Sequence, residues 1–247
     1  MMDCFDLFFR TIRAQSVEGR EVLDFSRPGL HEYINRNVGF YFPSVPEDDV
    51  MDAYTKEFVP QHGDIVWDVG AHAGATSFLL AQMVGPSGRV YAFEPDESNY
   101  EYLLKNLAMH NLSNVVPVKK ALSDSTGKAT FNMDGTMSAG IHDFLFYSGT
   151  GKLSQVETIS LEDACNEFGC VPKYVKMDIE GAEVAAVEGS AGFLRQHPIH
   201  FAIESYHRLG DTYTYTLLDS VFPKLGYQVK SDKYCGQMFT WANKPLI

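Results

Sequence analysis

The stretch from residue 64 to residue 76, DIVWDVGAHAGAT, combines residue types that can bind a cofactor. A short apolar run ends in Asp68, and a turn containing Gly70, Ala71 and Gly74 follows before a helical pattern begins. This order of strand, acid, glycine turn and helix is typical of nucleotide sites in open α/β sheets. Gly70 can adopt a positive φ, and Gly74 permits a close backbone approach. We therefore expect free backbone N–H groups and a carboxylate at the carboxyl edge of the sheet.

The glycine spacing of this turn favours one class of cofactor. The pattern is Asp-x-Gly-x-x-x-Gly, whereas a dinucleotide loop crowds its glycines because the pyrophosphate sits on the helix N-terminus. The carboxylate of Asp68 would repel a pyrophosphate but suits a ligand with a positive ammonium or sulfonium group. S-adenosylmethionine carries both groups and no phosphate. The alternative is a purely structural strand, turn and helix.

The second predicted strand, Arg89–Pro95 with the sequence RVYAFEP, ends in a further acid, Glu94. Pro95 stops the strand because it has no N–H to donate. A carboxylate at this place in the fold accepts hydrogen bonds from the two hydroxyls of a ribose. The alternative is a solvated acid at a strand end. Because NAD sites share this acid, Glu94 predicts a ribose without deciding the cofactor.

A second group of ionisable residues lies in VKMDIEGAE, residues 175–183. Strand alternation places Lys176 and Asp178 on the same side of the predicted strand, and Glu180 and Glu183 follow before a helix. Several charges at one strand end are costly unless they pair or face a ligand cavity. The Lys176–Asp178 pair is predicted to orient a substrate oxygen or to hold an ammonium group of the ligand. The alternative is a structural salt bridge in front of a capped helix.

The fifth predicted strand continues into Glu204 and His207 near the same sheet edge. Histidine is the side chain best suited to accept a proton near neutral pH, so His207 is the predicted general base. The alternative is a surface histidine beside Arg208. Asp178, Glu180 and Glu204 are weaker evidence for a metal than a compact ligand motif, and no metal is predicted.

The rest of the chain predicts the elements that position these residues. Strands and helices alternate from Gly63 onward, which indicates a doubly wound parallel sheet. The predicted strands are Ile65–Asp68, Val90–Glu94, Val115–Lys119, Lys128–Met133, Val156–Ile159, Tyr174–Asp178, His200–Glu204 and a terminal hairpin of Tyr227–Lys230 with Met238–Ala242. The predicted helices are Val50–Phe58, one through Phe78–Leu80, Glu97–His110, Leu161–Phe168, Glu183–Leu194 and Leu217–Leu225. The loop over residues 135–151 is either an active-site lid or a disordered insertion.

Composition excludes some classes of partner. The 247 residues carry a formal net charge of −12, and no basic stripe that would neutralise phosphates is visible, so we expect small molecules, sugars or lipid precursors rather than nucleic acid. No apolar run approaches the length of a membrane span. The N-terminal MMDCFDLFFRTIR lacks a basic n-region and a cleavage site, which predicts a packed helix rather than a signal peptide. The four cysteines, Cys4, Cys165, Cys170 and Cys235, show no metal-ligand spacing and indicate reduced thiols of a cytoplasmic protein.

The motifs resemble, in order, those of the FkbM family of S-adenosylmethionine-dependent methyltransferases. They are DVGAHAG, YAFEP, the run Ala121–Asp124 with Gly127, VETISLED, KMDIEGAE and ESYH, and they cover Gly63 to Gly226. KMDIEGAE is specific to the family, whereas the glycine turn is shared by class I methyltransferases generally. The resemblance implies a mostly parallel seven-stranded sheet with helices on both faces and an antiparallel C-terminal hairpin strand. Residues 61–247 would form this Rossmann-like domain, and residues 1–60 a small cap on the substrate side.

The resemblance also implies roles for individual residues. It places Asp68, Gly70 and Gly74 in the cofactor loop, Glu94 on the ribose, and Asp178 near the methionine end. It places Ser123 or its neighbours beside the adenine. This chain departs from the family at His72, where family members usually have Asn. The full set of predicted cofactor-binding residues is Asp68, Gly70, Ala71, Gly74, Glu94, Pro95, Ser123 and Asp178.

Methyl transfer from a sulfonium is an in-line displacement, in which the protein mainly aligns donor and acceptor. Our hypothesis is O-methylation of a small molecule or sugar, with His207 as base and Lys176 or Asp178 orienting the acceptor. A carboxylate or an amine acceptor is the alternative. The turn that marks many nucleic-acid N-methyltransferases, Asp/Asn-Pro-Pro-aromatic, is replaced here by Asp178-Ile179-Glu180-Gly181. An NAD-linked oxidoreductase and a non-catalytic partner module are the other two hypotheses.

Overall fold

The computed structural model describes residues 13–17, 20–24, 26–33, 37–44, 51–133, 140–141 and 152–245. Within these ranges the strands are β1 (Arg13–Val17), β2 (Arg20–Asp24), β3 (Ser26–Tyr33), β4 (Val38–Ser44), β5 (Ile65–Val69), β6 (Arg89–Phe93), β7 (Val115–Val118), β8 (Ala121–Leu122), β9 (Gly127–Met133), β10 (Gly140–Ile141), β11 (Lys152–Ile159), β12 (Tyr174–Met177), β13 (His200–Glu204), β14 (Arg208–Leu209), β15 (Thr212–Tyr213), β16 (Gln228–Tyr234) and β17 (Gln237–Asn243). The helices are α1 (Met51–Tyr54), α2 (Ala75–Val84), α3 (Glu97–Met109), α4 (Leu161–Phe168), α5 (Glu183–Gly189), α6 (Ala191–Leu194) and α7 (Thr214–Lys224).

A seven-stranded sheet with the order β16-β17-β13-β12-β5-β6-β7 forms the centre of the fold. Its strands β5, β6, β7, β12 and β13 are parallel. Strand β17 is antiparallel to both β13 and β16. The predicted α/β class is therefore confirmed, including the antiparallel C-terminal hairpin. Within the described ranges, no helix is long and apolar enough to cross a membrane.

Helices cover both faces of this sheet because successive residues of a buried strand point to opposite sides. Trp67 and Val69 of β5 pack in one core with side chains of α4, α5 and α7. Val66 packs in a second core with side chains of α2 and α3. Parallel strands with both faces covered read as continuous apolar runs, which is the pattern of β5.

A second sheet, ordered β10-β9-β11-β8, lies beside the main one and completes one wall of the site. Its buried side chains include Phe131 and Ile141, which pack with Ala121 and Ala182. The predicted strands Lys128–Met133 and Val156–Ile159 belong to this sheet. Of the predicted loop over 135–151, only Gly140 and Ile141 are among the described residues, and they pair with β9.

The described part of the N-terminal sixty residues consists mainly of two antiparallel hairpins. Strands β1 and β2 form one antiparallel hairpin, and β3 and β4 form another. Strand β4 is attached to α3, because the side chain of Asn106 accepts the N–H of Tyr41 and donates to the carbonyls of Tyr41 and Ala73, each at 2.7 Å. The predicted helix Val50–Phe58 is the shorter α1. The helix predicted over residues 1–13 lies outside the described residues except for Arg13, which begins β1.

Two helices in the second half of the chain also differ in extent. The helix predicted over Glu183–Leu194 is interrupted at Ser190, which has non-helical dihedral angles and separates α5 from α6. The preceding Gly189 lies against the backbone of Asp124, where a Cβ would come within 2.3 Å of the carbonyl oxygen. Helix α7 begins at Thr214, ahead of the predicted Leu217.

A substitution at Gly70 tests how closely the sheet edge is packed around this residue. Its φ is +76°, and a Cβ at this position would lie 1.8 Å from the carbonyl oxygen of Asp178. We expect Gly70→Ala to reduce the free energy of unfolding by about 3 kcal/mol or more, because backbone strain and a backbone clash combine. Urea denaturation followed by circular dichroism measures the loss.

Gly169 provides the matched control. It has a similar φ of +65°, but a Cβ added there would meet no heavy atom within 4 Å. Gly169→Ala should cost only the left-handed backbone strain, about 1–2 kcal/mol. Equal losses for the two variants would contradict the close approach at Gly70.

Candidate active site

The carboxyl ends of β5, β6, β12 and β13 meet at one edge of the sheet, as expected for parallel strands. Asp68 lies at the end of β5, and Glu94 follows β6 directly. Asp178 follows β12, and Glu204 ends β13. The structure therefore brings together the four acidic positions that the sequence singled out, but it gives them different surroundings.

The glycine turn after β5 is held by its own backbone. The N–H groups of Gly70 and Ala71 donate to the carbonyl of Phe93 at 3.1 and 2.9 Å. The N–H of His72 donates to Glu94 Oε2 at 2.8 Å, and that of Gly74 to the carbonyl of Ala71 at 2.7 Å. The expected free N–H groups are therefore already paired within the protein at these four residues. A pyrophosphate would find no donor among them.

Asp68 is not among the residues that line the pocket, and its attraction of a cationic group stays a prediction. Its carboxylate is fully buried, and Oδ2 accepts the hydroxyl of Ser77 at 2.5 Å. Its Oδ1 lies 3.1 Å from the ammonium of Lys176. Lys176 in turn donates to the carbonyl oxygen of Gly70 at 2.6 Å. Asp68 and Lys176 thus form a buried ion pair beneath the turn, and neither side chain lines the pocket.

Gly70 has the positive φ that we expected, and both glycines of the turn also allow close packing within the protein. A Cβ on Gly74 would lie 2.6 Å from Leu103 Cδ1, so this glycine allows α3 to approach the turn. A Cβ on Gly70 would strike the backbone at Asp178. Both positions have a positive φ, so the two glycines are required by packing of the protein against itself.

Glu94 is the acid that faces the pocket from β6. Its two carboxylate oxygens accept one N–H each, from Asp96 at 2.9 Å and from His72 at 2.8 Å. Each oxygen retains a lone pair for a further donor, as the binding of two ribose hydroxyls requires. Burial raises the pKa of Glu94 to about 7, although the two N–H donors favour the charged form.

His207 lies within a group of three carboxylates. Its Nδ1 is 3.0 Å from Glu183 Oε1, and its Nε2 is 3.5 Å from Glu180 Oε2 and 3.7 Å from Asp178 Oδ1. Burial lowers the pKa of His207, but the charge and hydrogen bond of Glu183, followed by the charges of Glu180 and Asp178, outweigh burial and raise it to about 10. An imidazole with this pKa is protonated at neutral pH and has no lone pair for an acceptor proton. The environment therefore does not favour the predicted role of a resting general base.

Glu183 organises this part of the site, a role that the sequence did not reveal. Its Oε1 accepts the N–H groups of Ile179 and Gly181, both at 3.1 Å. The side chain is fully buried, and the adjacent His207 lowers its pKa against the effect of burial. Glu183 thus fixes the chain after β12 and the ring of His207 together. The sequence indicated only a favourable charge at a helix start.

These elements surround one open pocket, whose unoccupied space, including the part open to solvent, is about 670 Å³. Of the predicted site residues, Gly70, Glu94, Pro95 and Asp178 line it. Ser123 does not, but its neighbours Ala121 and Leu122 do. The complete lining is Val69, Gly70, His72, Phe93, Glu94, Pro95, Asn99, Lys120, Ala121, Leu122, Phe131, Gly140, Ile141, Asp178, Ile179, Glu180, Ala182 and Tyr206.

The pocket lining combines apolar and acidic side chains. Phe93, Leu122, Phe131 and Ile141 are apolar, and such side chains suit the flat face of an adenine. Glu94, Asp178 and Glu180 contribute carboxylates. The apolar lining from β9 and β10 was not predicted, because buried aromatic and aliphatic residues carry no signal that separates a ligand wall from a core.

His72 also lines the pocket. Burial, with a smaller effect of Lys176, lowers the pKa of its imidazole to about 3, so the ring is neutral. The ring stacks on Phe42 of β4, with centroids 5.6 Å apart. Its φ of +48° is one that Asn adopts more readily than most residues, which fits the Asn that the resemblance implies for other family members at this position.

A family model described as the methyltransferase FkbM domain matches residues 68–229. The chain belongs to this family. The match starts at Asp68 and includes every motif on which the predicted resemblance rests, so that prediction is confirmed. The carboxylate of Glu94 fits a ribose, and the four paired N–H groups of the turn are not available to a pyrophosphate. S-adenosylmethionine is the cofactor of this domain, as predicted.

One curated relative is the hexuronic acid methyltransferase AglP of Haloferax volcanii. It is 29% identical over 163 residues, which cover 65% of this chain and 62% of the relative. The chain thus spans less than two thirds of the length of this relative.

Solved structures agree with the fold. Methyltransferase FkbM from Methylobacillus flagellatus KT has a TM-score of 0.51 at 20% identity, covering 72% of this chain and 43% of that one. Precorrin-6y C5,15-methyltransferase from Geobacter metallireducens GS-15 has a TM-score of 0.51 at 14% identity, covering 81% and 90%. At these identities the likeness shows the class I methyltransferase fold alone.

The raised pKa of Glu94 predicts a pH-dependent affinity for S-adenosylhomocysteine. Below a pH of about 7 the carboxyl becomes protonated and accepts hydrogen bonds from ribose hydroxyls poorly, so the affinity should fall about tenfold between about pH 8 and pH 6. Calorimetric titration across this range measures the change. Glu94→Gln should bind weakly at both pH values, and an unchanged slope in this variant would assign the titration to another group.

Because it forms a buried ion pair with Asp68, Lys176 is predicted to contribute to the stability of the fold. Lys176→Met leaves the Asp68 carboxylate buried without its counter-charge and should lower the free energy of unfolding by about 3–5 kcal/mol. The double variant Lys176→Met/Asp68→Asn should recover part of this loss, because no charge is then left unpaired. Urea denaturation measures both. Full stability of Lys176→Met together with lost turnover would instead support the predicted orienting role of Lys176.

Proposed function

We propose that the chain is an S-adenosylmethionine-dependent methyltransferase that methylates an oxygen of a sugar acid. The observation that carries this proposal is a pocket lined both by Glu94 with apolar side chains and by the carboxylates of Asp178 and Glu180. We assign the former to the adenosine, as an apolar slot, and the latter to the acceptor, as an acidic end. Family membership supports the reaction class. The curated relative, a hexuronic acid methyltransferase, supports a sugar acid as the acceptor class.

The proposed cofactor site uses the sequence-predicted residues in two ways. Glu94 and Pro95 line the pocket directly, with Glu94 on the ribose. Ser123 supports the adenine end through its neighbours. Gly70, Ala71, Gly74 and Asp68 shape the turn against which the methionine part would lie, and Asp178 marks the methionine end.

The acceptor binds, in this proposal, at the end of the pocket formed by Asp178, Glu180 and Tyr206. The side chains of Asp178 and Glu180 retain 25% and 19% of their exposure, so both can reach a ligand. Their carboxylates accept hydrogen bonds from acceptor hydroxyls and hold the reacting oxygen in line. His207 lies next to both carboxylates and positions them.

Bound S-adenosylmethionine supplies an electrophilic methyl group on sulfur. The chain contributes alignment and exclusion of water, since the donor is already reactive. The apolar wall and Glu94 hold the adenosine, and the turn after β5 fixes the backbone beside it. When the acceptor is a hydroxyl, its proton passes to a carboxylate oxygen of Glu180 or Asp178. Lys176 stabilises the turn from beneath.

We further propose that residues 1–60 form the substrate-side extension of the domain at residues 61–247. The described part of this extension supports that role, because the ring of Phe42 stacks on the pocket residue His72. Tyr54 of α1 donates its hydroxyl to Glu204 at the end of β13 at 2.6 Å. The net charge of −12 supports a small molecule or sugar rather than a nucleic acid as partner.

An acceptor panel with labelled S-adenosylmethionine tests this function. The methyl glycoside of a hexuronic acid should be methylated, and the corresponding neutral methyl glycoside should react at least about tenfold more slowly, since only the former carries the acid. Mass spectrometry identifies the product, and mild alkali distinguishes a base-labile methyl ester from a stable methyl ether. A preference for amine acceptors would contradict O-methylation. Binding of NAD in place of S-adenosylhomocysteine would contradict the reaction class.

Glu180→Gln separates catalysis from cofactor binding. We expect turnover to fall by about 10²–10⁴, because the carboxylate that takes or orients the acceptor proton is lost. The affinity for S-adenosylhomocysteine should change little, since Glu180 lies at the acceptor end. Single-turnover kinetics and calorimetry measure the two effects. The matched control is Glu188→Gln, an exposed glutamate of α5 outside the pocket, which should retain full turnover.

A further inference from the structure

Two buried polar atoms face each other at the acceptor end without a hydrogen bond. His207 is only 8% exposed, and its Nε2 has no hydrogen-bond partner among the described residues. The same holds, within the described part of the chain, for Asp178 Oδ1. The two atoms are 3.7 Å apart, which is too far for a hydrogen bond. Buried polar atoms are normally satisfied by protein groups, water or an ion, so these two atoms mark a place for such a partner.

The spacing of the surrounding donors suits a metal ion. One ligand atom each from Asp178, Glu180 and His207 lies within 4.8 Å of the other two. The distances from His207 Nε2 are 3.5 Å to Glu180 Oε2 and 3.7 Å to Asp178 Oδ1. Two ligands of one ion bound at about 2.1–2.5 Å are separated by about 3–5 Å. All three donors can therefore share one ion without moving far.

The orientation of the imidazole fits the same interpretation. Histidine ligands of metals usually present their second ring nitrogen to a carboxylate, which fixes the ring. Here His207 Nδ1 lies 3.0 Å from Glu183 Oε1, so Nε2 is the atom directed toward Asp178 and Glu180. Glu183 is itself held by the N–H groups of Ile179 and Gly181. The supporting carboxylate is thus fixed independently of any ion.

The geometry points to a divalent-cation site formed by Asp178, Glu180 and His207, in which the cation also binds the carboxylate of the acceptor. The identity of the acceptor in this inference rests on the proposed function. A sugar acid would otherwise approach an end of the pocket that carries like charge, which disfavours binding. Two carboxylates and one imidazole suit Mn²⁺ or Mg²⁺, with positions left for the acceptor. The ion would bind Nε2 of His207 at the position that a proton otherwise occupies.

Such an ion would contribute to methyl transfer as well as to binding. A cation that binds the acceptor carboxylate and a neighbouring hydroxyl lowers the pKa of that hydroxyl. The hydroxyl proton would then pass to the second oxygen of a ligating carboxylate.

Manganese(II) is the probe, because the electron paramagnetic resonance signal of the free ion is lost on binding. The full chain, treated with EDTA and desalted, should bind a single ion with the three residues as ligands. Asp178→Asn and Glu180→Gln should each weaken binding by about 100-fold or more, because each removes a charged ligand. Glu183→Gln should weaken it by about 10–100-fold, because Glu183 only orients His207.

Glu188→Gln is the matched control, since it removes one negative charge from α5 at an exposed position and should leave the affinity unchanged. Circular dichroism of each variant verifies the fold. Addition of EDTA should also abolish methylation of the sugar acid and leave binding of S-adenosylhomocysteine intact.

The outcomes for the ion and for the cofactor are distinguishable. A wild-type chain that binds S-adenosylhomocysteine but not Mn²⁺ would overturn the cation site and leave the proposed function standing. Equal Mn²⁺ affinity in wild type and Asp178→Asn would also overturn it, because the ion would then lie elsewhere. Binding of Mn²⁺ that depends on Asp178, without binding of S-adenosylhomocysteine, would support the cation site and contradict the proposed function.

Discussion

The buried ammonium of Lys176 is the interaction on which the carboxyl edge of the sheet depends. It compensates the fully buried carboxylate of Asp68 on the neighbouring strand and binds the carbonyl oxygen of Gly70. Without it, a charge in the interior would be left uncompensated, at a cost of several kcal/mol. Because the turn after β5 carries His72, whose N–H binds Glu94, one lysine connects the ends of three strands. Burial lowers the pKa of Lys176, but Asp68 and Asp178 outweigh this effect, so the side chain stays charged.

The fold was predictable because it follows from local patterns. Apolar runs that end in Asp68, Glu94 and Asp178 define parallel strands, and the predicted sheet, helices on both faces and C-terminal hairpin are present. Strand alternation predicted Lys176 and Asp178 on one side, but Asp178 lies beyond the end of β12 and lines the pocket, whereas Lys176 does not. Alternation also did not reveal that Lys176 pairs with Asp68, because that contact depends on β12 lying next to β5, and strand order is a property of the whole topology.

The sequence predicted two of the acidic residues that line the pocket, but it did not predict the residues that contact the site from other elements. Glu94 and Asp178 line the pocket, as their strand-end positions indicated, whereas the role of His207 was assigned from its residue type and its place near the sheet edge. The charge of His207 depends on Glu183, which reaches it from the start of α5. The apolar wall from Phe131 and Ile141 comes from a separate small sheet, and the aromatic contact to His72 comes from the N-terminal hairpin. Long-range contacts between ordinary apolar residues leave no motif in a sequence.

The paired N–H groups of the turn after β5 have a consequence for ligand exchange. Since Gly70, Ala71, His72 and Gly74 all donate to acceptors within the protein, the turn is ordered by the chain itself. Binding of a ligand therefore includes no entropic cost for ordering this backbone, and dissociation of the product does not disorder it. The turn therefore acts as a rigid template. The free energy gained on binding can then be directed to the apolar slot and the acidic end, which are the parts that distinguish one ligand from another.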